Sequence, residues 1–582
     1  MKKYIKSITA LTFLFTSLGH SLTTLQEATC GCDHTISSYT NGSVNGDALN
    51  FQPGDTVCLD PSVSYANMRW EDINGTKDDP IIIKNCAGQV YINAHNSLST
   101  KVAYGWRFYE SKFFKILGNG DPQYKYGIKV STPGGFYISM ERFTTNFEIS
   151  NVEVAGIAPV TPPIDPHDKN ETNVFGFAGI GIKTQPQCDG LADRDVWTMY
   201  DVNIHDNYIH DVGGEGVYIG YGRYDGFNNG NCDGNYTTPH AIRGLQVHSN
   251  RVEDVGYDGI QIKNSDTNVA IYNNIIKGYG LRENGQHDEG LLVGDGTEAL
   301  IYNNWIENGS SIKKGHGVQL NGFGNTHMFN NVVVNLGIDE NRTGRTAPFN
   351  KKSSLYINNN SPSFSNDKND TFRIYNNTFI GAQDHSFEAY TPQDIELKNN
   401  IFTGYMAQPS ISSTTSVLDV SNIYEQNMSL VGFVDLANKD FRLQHNSMAV
   451  GTGVDTQLAF DYNRSSRRNN LFDVGAYGHA GTPASDIPTL KIVTPSTHEP
   501  IRKKAVFVEV ELVNPLNIIN KVQKVQYVLN GKVIGTDDLP KVTEHWIGGQ
   551  KLKPGNNEFY AIGIHDNGQI TRSPSINIRV YL

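Results

Sequence analysis

Four titratable residues share one position, directly before a glycine that opens a short apolar segment: Glu215, Asp258, Glu289 and His316. If those segments stack as parallel strands, the four side chains form a row with a spacing of about 4.8 Å. Carboxyl groups at that spacing raise one another's pKa, so a pair can act as general acid and general base. We expect Asp258, Glu289, His316 and the adjacent Asp288 to be catalytic. The alternative is a run of turn-capping carboxylates that accept hydrogen bonds from backbone N–H groups.

A second set of polar side chains lies two or four residues after the same glycines: Tyr218, Gln261, Lys263 and Gln319. Alternation along a strand predicts that these side chains point outward beside the row. Aromatic rings stack on sugar rings, and amides hydrogen-bond hydroxyl groups. We therefore expect them to bind substrate, together with Glu215 of the row and with Arg223 and His287. The alternative is ordinary exposed strand surface.

The elements that carry these residues repeat along the chain. Apolar residues leading to an asparagine recur, as in Ile204-His205-Asp206-Asn207 and Ile271-Tyr272-Asn273-Asn274, and each is followed by a second short strand after a glycine. Such repeats at periods of a few tens of residues are typical of a parallel β-helix. An asparagine at one corner of every coil can bond to the next coil, and it tolerates left-handed backbone. We interpret these asparagines as a structural ladder.

The remaining segments set the domain boundaries. Lys2 and Lys3 precede an apolar run that is too short to span a membrane, so residues 1–22 are predicted to be a signal peptide. Residues 23–480 are assigned to the β-helix and 481–488 to a linker. Alternating segments and the hairpin signal Asn530-Gly531 predict an immunoglobulin-like β-sandwich over 489–582. The predicted fold class is all-β: a right-handed parallel β-helix followed by a small β-sandwich.

Composition and charge restrict the partners. The net charge of -12 argues against a nucleic-acid partner, which needs a basic face. An anionic polysaccharide stays compatible, because a basic cleft can exist in an acidic protein. No transmembrane span is predicted, and we expect a monomer. The expected location is the periplasm or the exterior, with association to the cell surface as an alternative. An exported chain can pair its six cysteines. We expect Cys188–Cys232 to join two loops, while Cys58 and Cys86 either bridge or stay free thiols.

Several motifs resemble known proteins. Phe51-Gln52-Pro53-Gly54-Asp55-Thr56-Val57-Cys58 and Phe472-Asp473-Val474-Gly475-Ala476-Tyr477 resemble the opening and closing motifs of bacterial polysaccharide-degrading β-helix proteins of the pectate-lyase-like superfamily. Tyr257-Asp258-Gly259, Asp288-Glu289 and Gly315-His316-Gly317 resemble the three motifs of polygalacturonase-type hydrolases, with Glu in place of the second Asp. The resemblance implies a secreted glycoside hydrolase with paired carboxylates. Because the first motif lacks Asn-Thr before Asp258, it does not specify galacturonan, and we expect a polysaccharide partner that is either pectic or marine algal.

Three other functions stay open. A polysaccharide lyase would use Lys263, Arg223, Tyr218 or His287 on a uronic acid, with Glu215 and Asp258 binding Ca²⁺ through oxygen ligands. No metal site is assigned from spacing, and Ca²⁺ is the one candidate cofactor. Asp165-Pro166-His167-Asp168 is similar to a motif of alginate epimerases. A non-catalytic carbohydrate-binding adhesin would cleave no polymer.

Overall fold

The computed structural model describes the chain in segments: 30–37, 42–96, 104–157, 159–160, 177–282, 287–307, 315–334, 353–358, 371–381, 385–404, 407–467, 472–479, 489–494, 505–513, 522–538, 543–548, 552–565, 570–573 and 576–580. The predicted signal peptide and linker lie outside these residues, as does the sequence Asp165-Pro166-His167-Asp168. Two compact units are present. The first runs to Met428, and the second comprises 429–582 together with 398–400 and 420–423.

Three long parallel sheets build the first part of the chain. Sheet 1 contains the strands His34–Ile36, Thr56–Leu59, Ile81–Asn85, Lys112–Leu117, Thr145–Ser150, Thr198–His205, Ala241–His248, Ser265–Thr267, Ala270–Tyr272, Leu300–Tyr302, His327–Phe329, Thr371–Tyr375, Asp394–Lys398 and Val417–Val420. Sheet 2 contains Ser43–Asn45, Met68–Glu71, Tyr104–Tyr109, Phe136–Met140, Ile180–Lys183, Val217–Gly220, Ile260–Ile262, Leu291–Val293, Val318–Leu320, Leu355–Asn358, Phe387–Tyr390 and Ser410–Ile411. Sheet 3 contains Val90–Asn93, Ile128–Ser131, Val152–Ala155, Tyr208–His210, Arg251–Glu253, Ile275–Lys277, Trp305–Glu307, Val332–Val334, Thr378–Ile380, Ile401–Thr403 and Ile423–Glu425. Successive coils pair with their neighbours in every sheet, which confirms the predicted parallel β-helix.

Shorter elements complete the description. Phe227–Asn228 pairs antiparallel with Tyr236–Thr237, and Phe433–Asp435 pairs with Asp440–Leu443. The helices among the described residues are the 3₁₀ turns Ala94–Asn96 and Gly230–Cys232 and the α-helix Met428–Val431. None of the helices that the structure describes is long and apolar enough to cross a membrane.

The core of the coils follows from strand alternation. Inward residues such as Val217, Ile219, Ile260 and Ile262 are fully buried in one continuous apolar cluster. β-Branched side chains suit this position, because they pack well on a pleated, buried surface. The stack is therefore a filled cylinder, and polar groups on its outer side hold fixed positions.

The predicted asparagine ladder is present. The side-chain oxygen of Asn274 accepts from both the backbone N–H and the amide of Asn250, each at 3.1 Å. The amide of Asn274 donates to the oxygen of Asn304 at 3.0 Å and to the carbonyl of Val247 at 2.9 Å. One detail of the interpretation was wrong. The left-handed residue is the one before each ladder asparagine, as at Asn273 with φ 55°.

Three disulfides close loops in the described residues: Cys30–Cys86, Cys32–Cys58 and Cys188–Cys232. The last pairing confirms the prediction. The expectation for Cys58 and Cys86 was wrong, because each pairs with a cysteine of the segment leading into the first strand and neither is a free thiol.

The C-terminal residues form two antiparallel sheets. One contains Thr489–Thr494, Ala505–Val513 and Thr543–Gly548. The other contains Val522–Leu529, Lys532–Asp538, Gly555–His565, Ile570–Arg572 and Ile576–Val580. Both contribute to one cluster of buried side chains, among them Leu490, Val508, Tyr527 and Phe559. The immunoglobulin-like sandwich and the boundary at residue 489 stay predictions.

Candidate functional site

Backbone hydrogen bonds place the predicted row in register on successive coils. The N–H groups of Gly216, Gly259 and Gly290 donate to the carbonyl oxygens of Asp258, Glu289 and His316, each at 2.9 Å. The N–H of Gly179 donates in the same way to Glu215, also at 2.9 Å. The row therefore runs Glu215, Asp258, Glu289, His316 across successive coils, just before the strands of sheet 2, as the sequence predicts.

The row is more enclosed than an open sugar groove. The exposed fraction is 1% for Glu215, 0% for Asp258, 6% for Glu289 and 9% for His316. Burial disfavours a charged carboxylate, so such groups either hold a proton or face a cation. A set of turn caps would have its oxygens paired, which gives a way to distinguish the two interpretations.

The carboxyl oxygens are only partly paired. Within the described part of the chain, Glu215 Oε2 and Asp258 Oδ2 are buried and accept no hydrogen bond. His287 Nδ1 lies 3.7 Å from Glu215 Oε1 and 3.8 Å from Asp258 Oδ2, also without a hydrogen bond. Unpaired buried oxygens are rare in folded proteins and indicate a ligand, an ion or a transferred proton. Simple turn capping therefore does not account for Glu215 and Asp258.

Glu215 and Asp258 could hold a divalent cation beside His287. One ligand atom from each of Glu215, Asp258 and His287 lies within 4.8 Å of the others. The two unpaired carboxylate oxygens suit a hard cation such as Ca²⁺, which takes oxygen ligands. His287 has a side chain that is 35% exposed, so it lies on the open side of the cluster.

The pKa values of the carboxyl groups follow from burial. Burial raises the pKa of Asp258 to about 7, and the charge of Glu215 adds to this. Burial also raises the pKa of Glu215, while His287 and Lys263 oppose it. For Glu289, burial and then the charge of Asp258 raise the pKa well above its usual range. Burial therefore favours the protonated form of Glu289, and the pKa of Asp258 lies near 7.

Asp258 and Glu289 are directly coupled. The backbone N–H of Glu289 donates to Asp258 Oδ1 at 2.9 Å, and a side-chain hydrogen bond with Asp258 helps to raise the pKa of Glu289. The backbone N–H of Asp288 donates to Glu289 Oε2 at 3.0 Å. Asp288 itself is enclosed between coils, since a Cβ added at Gly280 or Gly315 would lie within 3.1 Å of its own Cβ. Glu289 therefore interacts with Asp258 through both its backbone and its side chain.

His316 has a defined proton arrangement. The backbone N–H of Ser353 donates to His316 Nδ1 at 3.1 Å, so the neutral ring carries its proton on Nε2. The ring stacks on Tyr356 with a centroid distance of 4.3 Å. His316 therefore presents an N–H donor next to the carboxyl row.

The outward column is in the predicted register. Tyr218 pairs with Gln261, Gln261 with Leu292, and Leu292 with Gln319. Gln261 is fully buried, which differs from the open surface that we expected. Its amide has no hydrogen bond of good geometry, although an interaction with Tyr218 slightly lowers the pKa of that phenol. Burial, followed by the charge of Glu215, raises the pKa of Tyr218 overall, so its hydroxyl keeps its proton.

Lys263 belongs to the cluster, and Arg223 lies on the loop that follows the strand of Tyr218. The charge of Lys263 lowers the pKa of Glu215, Asp258 and Asp295 against the effect of their burial. Arg223 is exposed, and its guanidinium lies 5.0 Å from the ring centre of Phe227, in the loop that Cys232 anchors.

The same loop reaches the neighbouring coils. A Cβ added at Gly296 would lie 2.0 Å from the ring of Tyr224, and that ring contacts Phe323 edge to face at 5.0 Å. The loop therefore forms a wall beside the strand ends near Lys263.

Two further residues of the column were missed from the sequence. Tyr356 pairs with Gln319, and Glu388 pairs with Tyr356. Glu388 is fully buried and accepts a hydrogen bond from the Ser353 hydroxyl at 2.6 Å.

Comparison with known proteins identifies the fold class. Residues 194–368 match the sequence profile of the family described as "Right handed beta helix region". The coil is therefore right-handed, as predicted. No curated protein matches the chain.

Solved structures are similar at low levels. An alginate lyase from Paenibacillus sp. str. FPU-7 is 15% identical with a TM-score of 0.33, over 68% of this chain and 99% of that one. XylC in complex with xylose is 12% identical with a TM-score of 0.33, over 90% and 99%. Fibronectin(III)-like modules of Clostridium thermocellum CbhA are 19% identical with a TM-score of 0.13, over 16% of this chain and less than half, 46%, of that one.

Proposed function

We propose that the chain is an exported enzyme that cleaves an acidic polysaccharide by β-elimination at sheet 2. The observation that carries this proposal is the pair of buried, unpaired carboxylate oxygens on Glu215 and Asp258, which face His287 and lie in the field of Lys263. A surface that only binds neutral sugars has no need of two buried carboxylates without partners. A cation between them would leave a positive site for the carboxylate of a uronic acid.

The roles follow from protonation and position. A bound cation, held by Glu215 and Asp258, would supply Lewis-acid stabilisation of the charge that develops on the sugar carboxylate. Lys263 adds a second positive charge on the same side. His287 accepts the proton from C5, the C4–O4 bond breaks, and a C4–C5 double bond forms. Tyr218 donates its phenol proton to the leaving O4, so the proton count balances.

Hydrolysis is the second candidate, and one observation favours it. Burial favours the protonated form of Glu289, while the pKa of Asp258 lies near 7, and glycosidases use such a division between acid and base. The side-chain contact between them argues the other way. Two-carboxylate hydrolysis needs the carboxyl groups about 5–9.5 Å apart, so that a sugar or a water fits between them.

Export is part of the proposal. All six cysteines of the chain are paired, and disulfides persist in oxidising compartments such as the periplasm or the exterior. A soluble or wall-bound acidic polymer is available there. The signal peptide that the sequence predicts would be removed on the way.

Two variants separate the two reactions. Glu215→Gln removes one arm of the cation site, and we expect it to abolish elimination while leaving hydrolysis largely intact. Glu289→Gln removes the protonated acid, so it should abolish hydrolysis and leave elimination largely intact. Glu253→Gln is the matched control, because it makes the same substitution on sheet 3, in the coil after that of Glu215.

The assay follows two signals on the same polymers, with Ca²⁺ or with a chelator. Elimination produces new reducing ends together with ultraviolet absorbance from the new double bond, and hydrolysis produces reducing ends alone. Loss of ultraviolet absorbance in Glu215→Gln, with retention in Glu289→Gln, supports the proposal. Reducing ends without absorbance would replace it by hydrolysis. Binding of polymer with neither signal would favour an adhesin.

A further inference from the structure

Two arginines continue the outward column of sheet 2 towards the N-terminus, and a lysine lies beside that column. We call Arg69, Arg107 and Lys183 the cationic strip. Arg69 pairs with Arg107, and three further pairings on the same face, through Ser139 and Gly181, lead to Tyr218. Lys183 lies two residues after the column position Gly181 on the same strand, and it pairs with Gly220 of the next coil. The strip therefore lies on the same face as the candidate site.

The two arginines keep donors available. Arg69 bonds to Glu71 Oε2 at 2.8 Å, and its guanidinium lies 4.7 Å from the ring centre of Tyr109. The Nε atom of Arg107 lies 3.2 Å from Glu141 Oε1, and its guanidinium lies 4.1 Å from the ring centre of Tyr104. A guanidinium has five N–H donors, so one carboxylate contact leaves several for a ligand.

Glu141 forms ion pairs with two of the three cations. Its Oε1 atom lies 2.7 Å from Lys183 Nζ and 3.2 Å from Arg107 Nε, and its side chain is only 14% exposed. The side chain of Arg69 is 48% exposed. The carboxylate thus holds the two inner cations in place, and the outermost arginine faces solvent.

Local charge makes this surface unusual for the chain. Three cations less the two carboxylates of Glu71 and Glu141 leave one positive charge, whereas the whole chain carries -12. A locally positive surface on an acidic protein attracts and orients an anionic ligand.

An aromatic bridge connects the strip to the candidate site. Lys183 Nζ lies 4.1 Å from the ring centre of Phe136. That ring fills the space of a missing side chain, since a Cβ added at Gly181 would lie 2.2 Å from it. Phe136 then contacts Tyr218 edge to face at 6.0 Å. Cations and aromatic rings therefore form a continuous surface up to the proposed reacting centre.

We propose that the cationic strip is a distal binding region for the carboxylates of an acidic polysaccharide, which makes the enzyme prefer long chains. This rests on the proposed function. Arg107 lies three coils from Tyr218 and Arg69 lies four, which corresponds to about 14 and 19 Å at the spacing of parallel strands. A trisaccharide at Tyr218 falls short of Arg69, while a longer chain along the coil axis contacts both arginines.

The test uses Arg69→Gln and the double variant Arg69→Gln/Arg107→Gln. Arg251→Gln is a matched control, because Arg251 also pairs with a glutamate two residues later, Glu253, and lies over a tyrosine ring, but on sheet 3. Polyuronate of high degree of polymerisation and the corresponding trisaccharide are compared for KM and kcat. Retention of each protein in a polyuronate-containing native gel is measured at low and high salt.

The double variant should show about a tenfold higher KM for the polymer, which corresponds to about 1.4 kcal/mol, with kcat unchanged. Its KM for the trisaccharide and the behaviour of Arg251→Gln should stay unchanged. Arg69→Gln alone, a change at an exposed side chain, should show part of the effect. Equal effects on both lengths, or none on the polymer, would overturn the proposal. If no polymer is cleaved, the gel still decides: salt-sensitive retention lost in the double variant supports the strip while the proposed reaction fails, and retention kept removes the strip.

Discussion

Asp258→Asn should change how the stability of the protein depends on pH. The carboxyl group of Asp258 releases its proton near pH 3.8 in an unfolded chain and near pH 7 in the folded protein, because burial disfavours its charge. Between those values the folded state binds the extra proton, so the free energy of unfolding falls as pH rises. At about 1.4 kcal/mol per pH unit, the loss between pH 3.8 and 7 is about 4 kcal/mol. The asparagine cannot ionise, so the variant lacks this loss.

The measurement is urea unfolding of wild type and variant at several pH values from 4 to 8, with chelator present. The stability difference between them should move in favour of the variant by about 4 kcal/mol over this range, although the variant loses activity. Asp266→Asn, which removes a surface carboxylate paired with Arg243, is the control. Added Ca²⁺ should stabilise the wild type more than the variant at pH 8. A difference that stays constant with pH would refute the assignment of a buried, titrating Asp258.

Three further changes test the scaffold. Asn274→Ala removes a fully buried amide with bonds to both neighbouring coils, so it should lower the free energy of unfolding by about 3 kcal/mol or more in urea titrations. Gly259→Ala would place a Cβ 2.5 Å from a backbone oxygen of the next coil, so we expect a loss of about 1–3 kcal/mol, whereas Gly222→Ala, with open space around it, should be near neutral. Replacing Cys188 and Cys232 by serine should raise the KM for polymer and change the thermal midpoint of the coils little, since that disulfide joins two loops.

Position within the coil could be predicted from sequence wherever a glycine marks the start of the sheet 2 strand. In these coils glycine is favoured because a Cβ would crowd the next coil: one added at Gly290 would lie 2.6 Å from the carbonyl oxygen of Gly317. The row of Glu215, Asp258 and Glu289 followed from this marker. The place of Tyr356 in the outward column was not predicted, because its strand follows Ser354 where other coils have glycine and comes after a long insertion.

Burial and pairing of the site could not be predicted in the same way. Whether Gln261 is open or enclosed depends on side chains that other coils bring to it, such as Tyr218, which no local pattern specifies. The pairing of Cys58 and Cys86 was missed for a similar reason. Four cysteines allow three connectivities, and spacing alone does not choose among them.

The in-register stacking of sheet 2 fixes the distances between side chains on different coils. Any two side chains of its outward column, such as Arg69 and Tyr218, are separated by a whole number of coils. Adding or deleting one complete coil between them would move the two by one strand spacing, about 4.8 Å, while leaving each local environment unchanged. The length of chain that the protein measures could therefore change in discrete steps during evolution, independently of the chemistry at the reacting centre.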